Sequence, residues 1–263
     1  MIDKINKPIL DETKLLSLTE SYNELNYYLP HALLHIFQKM GVFQRHGEQY
    51  ERETLQSQLG ILPQYSRLFV ALLDILERAG IIQYSGRYVL YKGEVDSVLQ
   101  KKSSSIQERG TQLRKEFPEL GAYVQLLDVC LKHYPDILRG NVPATDIIFP
   151  NSSMDLVQGI YKGNQSADYY NELMAQSVLS YIQARLPLLK ENEKINILEI
   201  GAGTGGTSAF VFDAIRMYSD KINYMYTDIS YRFIEYGKEH FGNDNPFVNF
   251  KVFDIEKMYI HKE

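Results

Sequence analysis

Residues suited to binding a nucleotide-like ligand are concentrated in the stretch 195–208. A short apolar run, 197–200, breaks into glycines and then resumes with helical spacing from Phe210. The glycines are Gly201, Gly203, Gly205 and Gly206. The apolar run is typical of a buried parallel strand, and glycines allow a tight turn that brings the backbone close to a ligand. Because the first N–H groups of a helix are unpaired, the stretch predicts a strand–turn–helix unit that binds a nucleotide or a related cofactor.

The glycine spacing by itself fits more than one ligand. It contains G-x-G-x-G, and with Gly206 it also satisfies the dinucleotide pattern G-x-G-x-x-G. Glu199, two residues before the first glycine, distinguishes the two. A carboxylate would be repelled by a pyrophosphate but not by a cationic aminoacyl sulfonium, so Glu199 favours S-adenosylmethionine over NAD. An ordinary turn without a ligand is the remaining alternative.

Two further acids follow predicted strands. Asp228 ends the alternating run that starts at Ile222, and Asp254 ends the run 248–253. An acid at the first position can accept from both ribose hydroxyls, in NAD or in S-adenosylmethionine, and Asp254 could reach an adenine amino group. Because parallel strands present their carboxyl ends at one edge, the glycines and both acids are predicted to line one crevice.

Several motifs resemble a known family. The stretch 199–208, followed by Tyr-Thr-Asp-Ile-Ser at 226–230, resembles motif I and the second-strand acid of class I S-adenosylmethionine-dependent methyltransferases. The segments 144–150, 159–164 and 168–171 are similar to the methyltransferase domains embedded in modular polyketide synthases, and this resemblance runs from Leu15 to the end of the chain. It implies S-adenosylmethionine as the cofactor. The predicted cofactor-binding residues are Tyr161, Tyr169, Glu199, Gly201, Ala202, Gly203, Gly205, Asp228, Ile229, Asp254 and Ile255.

The same resemblance implies a substrate and partners. The substrate would be a β-ketoacyl chain, held as a thioester on the phosphopantetheine arm of an acyl carrier protein and methylated at its α-carbon, among neighbouring polyketide synthase domains. Methyl transfer to oxygen, a non-catalytic cofactor-binding or docking fragment, and a nucleotide-dependent oxidoreductase are the alternatives. The upstream tyrosines, Tyr169 and Tyr170, either cover the cofactor or belong to the core.

The resemblance ends before the catalytic part of the family's fold. In the family a histidine and a carboxylate partner follow the third strand, and His240 and His261 do not match those positions, so no catalytic residue is assigned. Only the first three strands are found, at 195–200, 222–227 and 248–253. The sequence therefore predicts a truncated core with strand 195–200 as an exposed edge, at most weak cofactor binding, and no methyl transfer by this chain alone.

The N-terminal part has the pattern of a winged helix. Helices are predicted from Pro30, over 54–59 and over 65–79, and a hairpin joins strands 81–84 and 87–91 through Ser85-Gly86. The window 45–92 holds six Lys or Arg and five Asp or Glu residues, close to neutral. Since phosphate contacts supply most non-specific DNA affinity, a structural or dimerising role is favoured over DNA binding.

Composition and residue spacing argue against several other kinds of function. The 263 residues carry a net charge of −5, which argues against a general nucleic-acid binder. The single cysteine, Cys130, excludes an internal disulfide, and neither a signal peptide nor a membrane span is evident, so a cytoplasmic setting is expected. His31 and His35 have the spacing of a metal pair but lack a third ligand, so no metal site is predicted.

The predicted fold is α/β. A helical, winged-helix-like domain over 1–98, starting with a mobile lead-in at 1–15, precedes a helical and irregular lid or linker over 99–165. A partial Rossmann-like class I methyltransferase core follows over 166–263. The part 99–140 is expected to be helical and 141–165 irregular but packed.

Overall fold

A computed structural model describes residues 12–93 and 105–259. These residues form two compact units, an N-terminal unit of residues 12–157 and a C-terminal unit of residues 158–259. Residues 1–11 of the predicted lead-in and 99–104 of the predicted helical segment lie outside the described residues. The predicted domain boundaries, at 98/99 and 165/166, stay predictions.

The N-terminal unit begins as a winged helix. Its elements are α1 (Glu12–Lys39), β1 (Gln49–Glu51), α2 (Arg52–Gln58), α3 (Ser66–Arg78), β2 (Ile82–Ser85) and β3 (Tyr88–Tyr91). The strands form an antiparallel sheet in the order β1-β3-β2. The apolar spacing within α3 places Phe69, Leu72, Leu73 and Leu76 in the core, while Leu68 is exposed.

Two local predictions in this unit were wrong. Pro30 does not start a helix but lies inside α1. The helix continues through it because residues on both sides, such as Tyr28 and Leu33, are buried in one core, which compensates for the lost backbone hydrogen bond. The hairpin turn consists of Gly86 and Arg87, since Ser85 pairs with Tyr88 in the strand register.

The rest of the N-terminal unit is helical. It contains α4 (Ile106–Glu116), α5 (Gly121–Leu138), α6 (Ala144–Ile148) and the start of α7 (Asp155–Tyr161). The segment 141–165, predicted to be irregular, thus contains two short helices, although its predicted packing holds at Met154 and Val157, which are buried. Across the part of the chain that is described, no helix combines the length and apolar character needed to span a bilayer.

The C-terminal unit is a parallel α/β layer that confirms the predicted fold class. Its elements are α8 (Gln165–Arg185), β4 (Ile195–Ile200), α9 (Gly206–Ile215), β5 (Ile222–Asp228), α10 (Tyr231–Phe241) and β6 (Val248–Val252). The strands pair in parallel in the order β4-β5-β6. The buried apolar core that the sheet shares with its helices includes Phe212 of α9 and Tyr224 and Tyr226 of β5.

The two faces of β4 differ in burial. Ile195 is buried and Ile197 partly buried against the helices, whereas Leu198 and Ile200 on the opposite face are exposed. The sequence predicted an apolar strand at the edge of a sheet, and among the described strands β4 does pair on one side only, with β5. On α8, Met174 is exposed, although its spacing with the partly buried Val178 and the buried Ile182 would place it on the same face of the helix.

Candidate functional site

The glycine turn between β4 and α9 takes left-handed backbone conformations. Gly201, Gly203 and Gly205 have φ angles of 74°, 58° and 69°, which residues with a Cβ rarely adopt. The turn is fastened to the neighbouring strand: the Ala202 N–H donates to the Thr227 carbonyl at 2.9 Å. The Gly203 carbonyl accepts from the Tyr226 hydroxyl at 2.8 Å. These bonds shape the turn into a preformed loop at the carboxyl end of β4.

Two of these glycines are also required sterically. A Cβ on Gly205 would lie 2.3 Å from Cε2 of Phe241, and one on Gly206 would lie 2.7 Å from the carbonyl oxygen of Tyr161. Real Cβ contacts are not this short, so the first turn of α9 packs against its neighbours through bare backbone. The glycine pattern therefore reflects packing as well as turn geometry.

Glu199 lies under the start of α9 rather than free in solvent. The Ser208 hydroxyl lies 2.8 and 2.9 Å from its two carboxylate oxygens, and the Tyr224 hydroxyl donates to one of them at 2.9 Å. Burial raises the pKa of Glu199, and the bonds from Ser208 and Tyr224 oppose that rise. Burial and the nearby Glu199 raise the pKa of Tyr224, so this hydroxyl remains a donor at neutral pH.

Asp228 ends β5 beside the glycine turn. It is buried, and its two carboxylate oxygens accept from the backbone N–H groups of Gly203, at 2.9 Å, and Ser230, at 2.8 Å. A carboxylate has about four acceptor sites, so these two bonds leave capacity for further donors. Asp228 therefore links the glycine turn to the end of β5, and its carboxylate can accept further hydrogen bonds from a ligand.

The third strand end carries Asp254. Its carboxylate accepts from the Glu256 N–H at 3.0 Å and pairs with Lys257 at 3.2 Å, and the Lys257 bond is the main cause that lowers its pKa. The residue after each strand-end acid is an exposed isoleucine: Ile229 is 68% exposed and Ile255 is 46% exposed. Exposed apolar side chains next to strand-end acids are suited to contact a flat, partly apolar ligand group.

The two predicted cofactor-binding tyrosines upstream of β4, Tyr161 and Tyr169, differ in exposure and in contacts. Tyr161, at the end of α7, is 58% exposed, and its backbone packs against Gly206 of the glycine turn. Tyr169 is partly buried and makes an edge-to-face contact with Tyr170, with ring centroids 5.3 Å apart. For Tyr169 no hydrogen bond or ring contact to the glycine turn appears among the described residues, so its predicted role stays a prediction.

The structure brings most of the predicted residues to one edge of the sheet. Direct hydrogen bonds join the glycine turn to β5 and Asp228. The backbone of Tyr161 packs against Gly206 at the end of this turn. Sequence reasoning missed the residues that hold these groups in place: Asn171, Thr207, Ser208, Tyr224 and Tyr226. The available signal was the polar pair Thr207-Ser208 at the start of a helix whose other residues, apart from Asp213, are apolar or glycine.

Parallel strands, a glycine turn and strand-end acids define the class of Rossmann-like domains that bind nucleotide-containing cofactors. No protein-family model matches this chain. It is 49% identical over 146 residues, 55% of its length, to the polyketide synthase PksM of Bacillus subtilis strain 168, of which this covers 3%. Among solved structures, the DszA carbon methyltransferase matches with a TM-score of 0.85 and 41% identity over 95% of this chain and 63% of that one.

The CurJ carbon methyltransferase is a second structural match. Its TM-score is 0.76 and its identity 25%, over 94% of this chain and 61% of that one. The chain is thus similar in sequence to a polyketide synthase and in structure to carbon methyltransferases. It spans about three-fifths of the solved domains it resembles and a few per cent of the curated polyketide synthase that it matches.

Proposed function

We propose that the protein is an S-adenosylmethionine-dependent methyltransferase domain of a polyketide assembly line. Its substrate is a β-ketoacyl chain, held as a thioester on an acyl carrier protein and methylated at the α-carbon. One observation carries the proposal: the preformed glycine turn lies hydrogen-bonded to Asp228 in a chain 41% identical to a carbon methyltransferase. That relative also favours carbon over oxygen as the methyl acceptor.

In this proposal the glycine turn and the strand ends bind different parts of the cofactor. Gly201, Gly203 and Gly205 face the aminoacyl part, and Glu199 lies beneath the turn that contacts it. Asp228 accepts from the ribose hydroxyls with the acceptor sites that its two backbone bonds leave open.

The adenine end is assigned to the two remaining strand-end positions. Asp254 accepts from the adenine amino group, and the exposed side chains of Ile229 and Ile255 lie against the base. When bound, the cofactor supplies an electrophilic methyl group. This chain's residues bind and orient it, and none of them is assigned to removing the α-proton, a task that needs a general base within reach of the substrate.

Calorimetry with S-adenosylhomocysteine tests the cofactor assignment. The chain should bind it and should bind NAD more weakly, because Glu199 carries negative charge close to where a pyrophosphate would lie. Stronger binding of NAD would favour the oxidoreductase alternative, and binding of neither ligand would contradict the proposed cofactor.

Mass spectrometry of a β-ketoacyl carrier protein tests the reaction. The substrate is incubated with S-adenosylmethionine and this protein, both as the 263-residue chain and within any longer protein that carries it. We expect a mass gain of one methyl group, located on the α-carbon by fragmentation. A methyl group on oxygen would support the alternative acceptor, and no mass gain from either protein would contradict the proposed reaction.

A further inference from the structure

Asn171 connects three separate segments of the C-terminal unit. It lies on α8 and is 7% exposed. Its Nδ2 donates to the carbonyl oxygen of Tyr161 at 2.9 Å, and its Oδ1 accepts from the hydroxyl of Thr207 at 2.7 Å. A buried amide that is bonded at both ends is costly to disturb, because a partner left without a bond keeps its desolvation penalty. Asn171 thereby ties the end of α7 to the first turn of α9.

The segment held by Asn171 is internally rigid. Asn164 donates to the carbonyl oxygens of Gly159, at 3.0 Å, and Ile160, at 2.9 Å, and its own Oδ1 caps α8 by accepting from the Ala167 N–H. The Gly163 N–H donates to Asp168, one turn into α8. Segment 159–164, which is the end of α7 and the turn that follows it, thus has hydrogen-bonded backbone groups and is joined to the start of α8.

The distance between segment 159–164 and the glycine turn is also fixed. The carbonyl oxygen of Tyr161 would lie 2.7 Å from a Cβ on Gly206, so the two backbones are in direct contact. The ring of Tyr161 is nevertheless 58% exposed. A large aromatic side chain that is exposed on a rigidly held backbone, next to a glycine turn, is suited to cover a bound ligand rather than to fill a core.

We propose that Asn171 is a positioning residue for the cofactor. It acts through Tyr161, whose ring it places as one wall of the pocket beside the glycine turn, for an S-adenosyl nucleoside. The inference rests on the proposed function, because it assumes that the turn binds such a cofactor. Asn171 and Thr207 themselves make no contact with the ligand in this arrangement, since Asn171 is buried and the Thr207 hydroxyl is directed to it.

A double-mutant cycle tests the proposal by calorimetry with S-adenosylhomocysteine. Asn171→Ala and Tyr161→Ala should each weaken binding about tenfold, the scale of one lost polar or aromatic contact. The double variant should be no weaker than either single one, since Asn171 acts through Tyr161. Glu172→Ala, an exposed neighbour on α8, is the matched control and should bind within about twofold of wild type. Asn171→Ala binding within twofold of wild type, or additive losses in the double variant, would overturn the proposal.

Hydrogen exchange separates this inference from the proposed function. Loss of the Asn171 bond should raise deuterium uptake across 159–164 in the absence of any ligand. Thr207→Val, which keeps the shape and removes only the hydroxyl, should raise uptake in the same segment if Asn171→Ala fails to fold. If wild type does not bind S-adenosylhomocysteine, the proposed cofactor is wrong. If uptake across 159–164 is unchanged in the variants, the positioning role of Asn171 is wrong whatever binds.

Discussion

Asp228 is the side chain on which cofactor affinity should depend most. Asp228→Ala removes the proposed acceptor for the ribose and also frees the Gly203 N–H, so S-adenosylhomocysteine should bind about 1.5–3 kcal/mol more weakly. Asp244→Ala, an exposed position, is the control and should leave affinity unchanged. Calorimetry on a variant that keeps its circular dichroism spectrum makes the measurement. Unchanged affinity of Asp228→Ala would remove Asp228 from the site.

Glu199 should make stability depend on pH. Because burial raises its folded-state pKa above the unfolded value, the folded protein keeps the Glu199 proton to a higher pH than the unfolded chain does, and stability from this group falls as pH rises from the unfolded pKa through the raised one. Glu199→Gln cannot ionise, so its free energy of unfolding relative to wild type should increase over that range. Urea unfolding across a pH series measures this difference, and a difference that stays constant would contradict the assignment.

Two further variants are compared with Glu199→Gln. Glu191→Gln, at an exposed site, should show no such trend. Glu199→Ala should destabilise the unit by about 1–3 kcal/mol, because it leaves the hydroxyls of Ser208 and Tyr224 without their acceptor.

At the scale of elements, the start of α9 depends on glycine. Gly205→Ala should lower the free energy of unfolding by about 2–5 kcal/mol, from left-handed strain together with overpacking against Phe241. The matched control is Gly121→Ala at the start of α5, where a Cβ meets nothing within 4 Å. Denaturant unfolding of both variants makes the comparison. Equal stability of the two would mean that Phe241 moves aside without cost.

At the scale of the whole molecule, charge argues against DNA binding by the winged helix. The chain carries a net charge of −5. Two cations of the wing region are already engaged, since Arg52 lies over the Tyr84 ring and Arg87 lies over Tyr88 and 3.6 Å from Glu51. Fluorescence anisotropy with random duplex DNA at low salt should show no binding at micromolar protein. Binding that weakens as salt is added would contradict this prediction.

The sequence by itself determined the parallel order of elements and the strand-end positions at which the ligand site is proposed. Alternating or continuous apolar runs with an acid at or near the end, namely Glu199, Asp228 and Asp254, are local patterns. The strand ends of a parallel sheet meet at one edge whatever the details of packing. Glycines in left-handed conformations are predictable for the same reason, because few other residues tolerate them.

Only the tertiary structure decided how those positions are held. The bonds of Glu199 to Ser208 and Tyr224, and of Asn171 to Tyr161 and Thr207, join residues far apart along the chain or on different elements. Helix and strand periodicity records which residues share a face of one element but carries no information on which side chain of another element meets them. For the same reason α1 runs through Pro30: burial on both sides of the proline outweighs the local preference that would end the helix there.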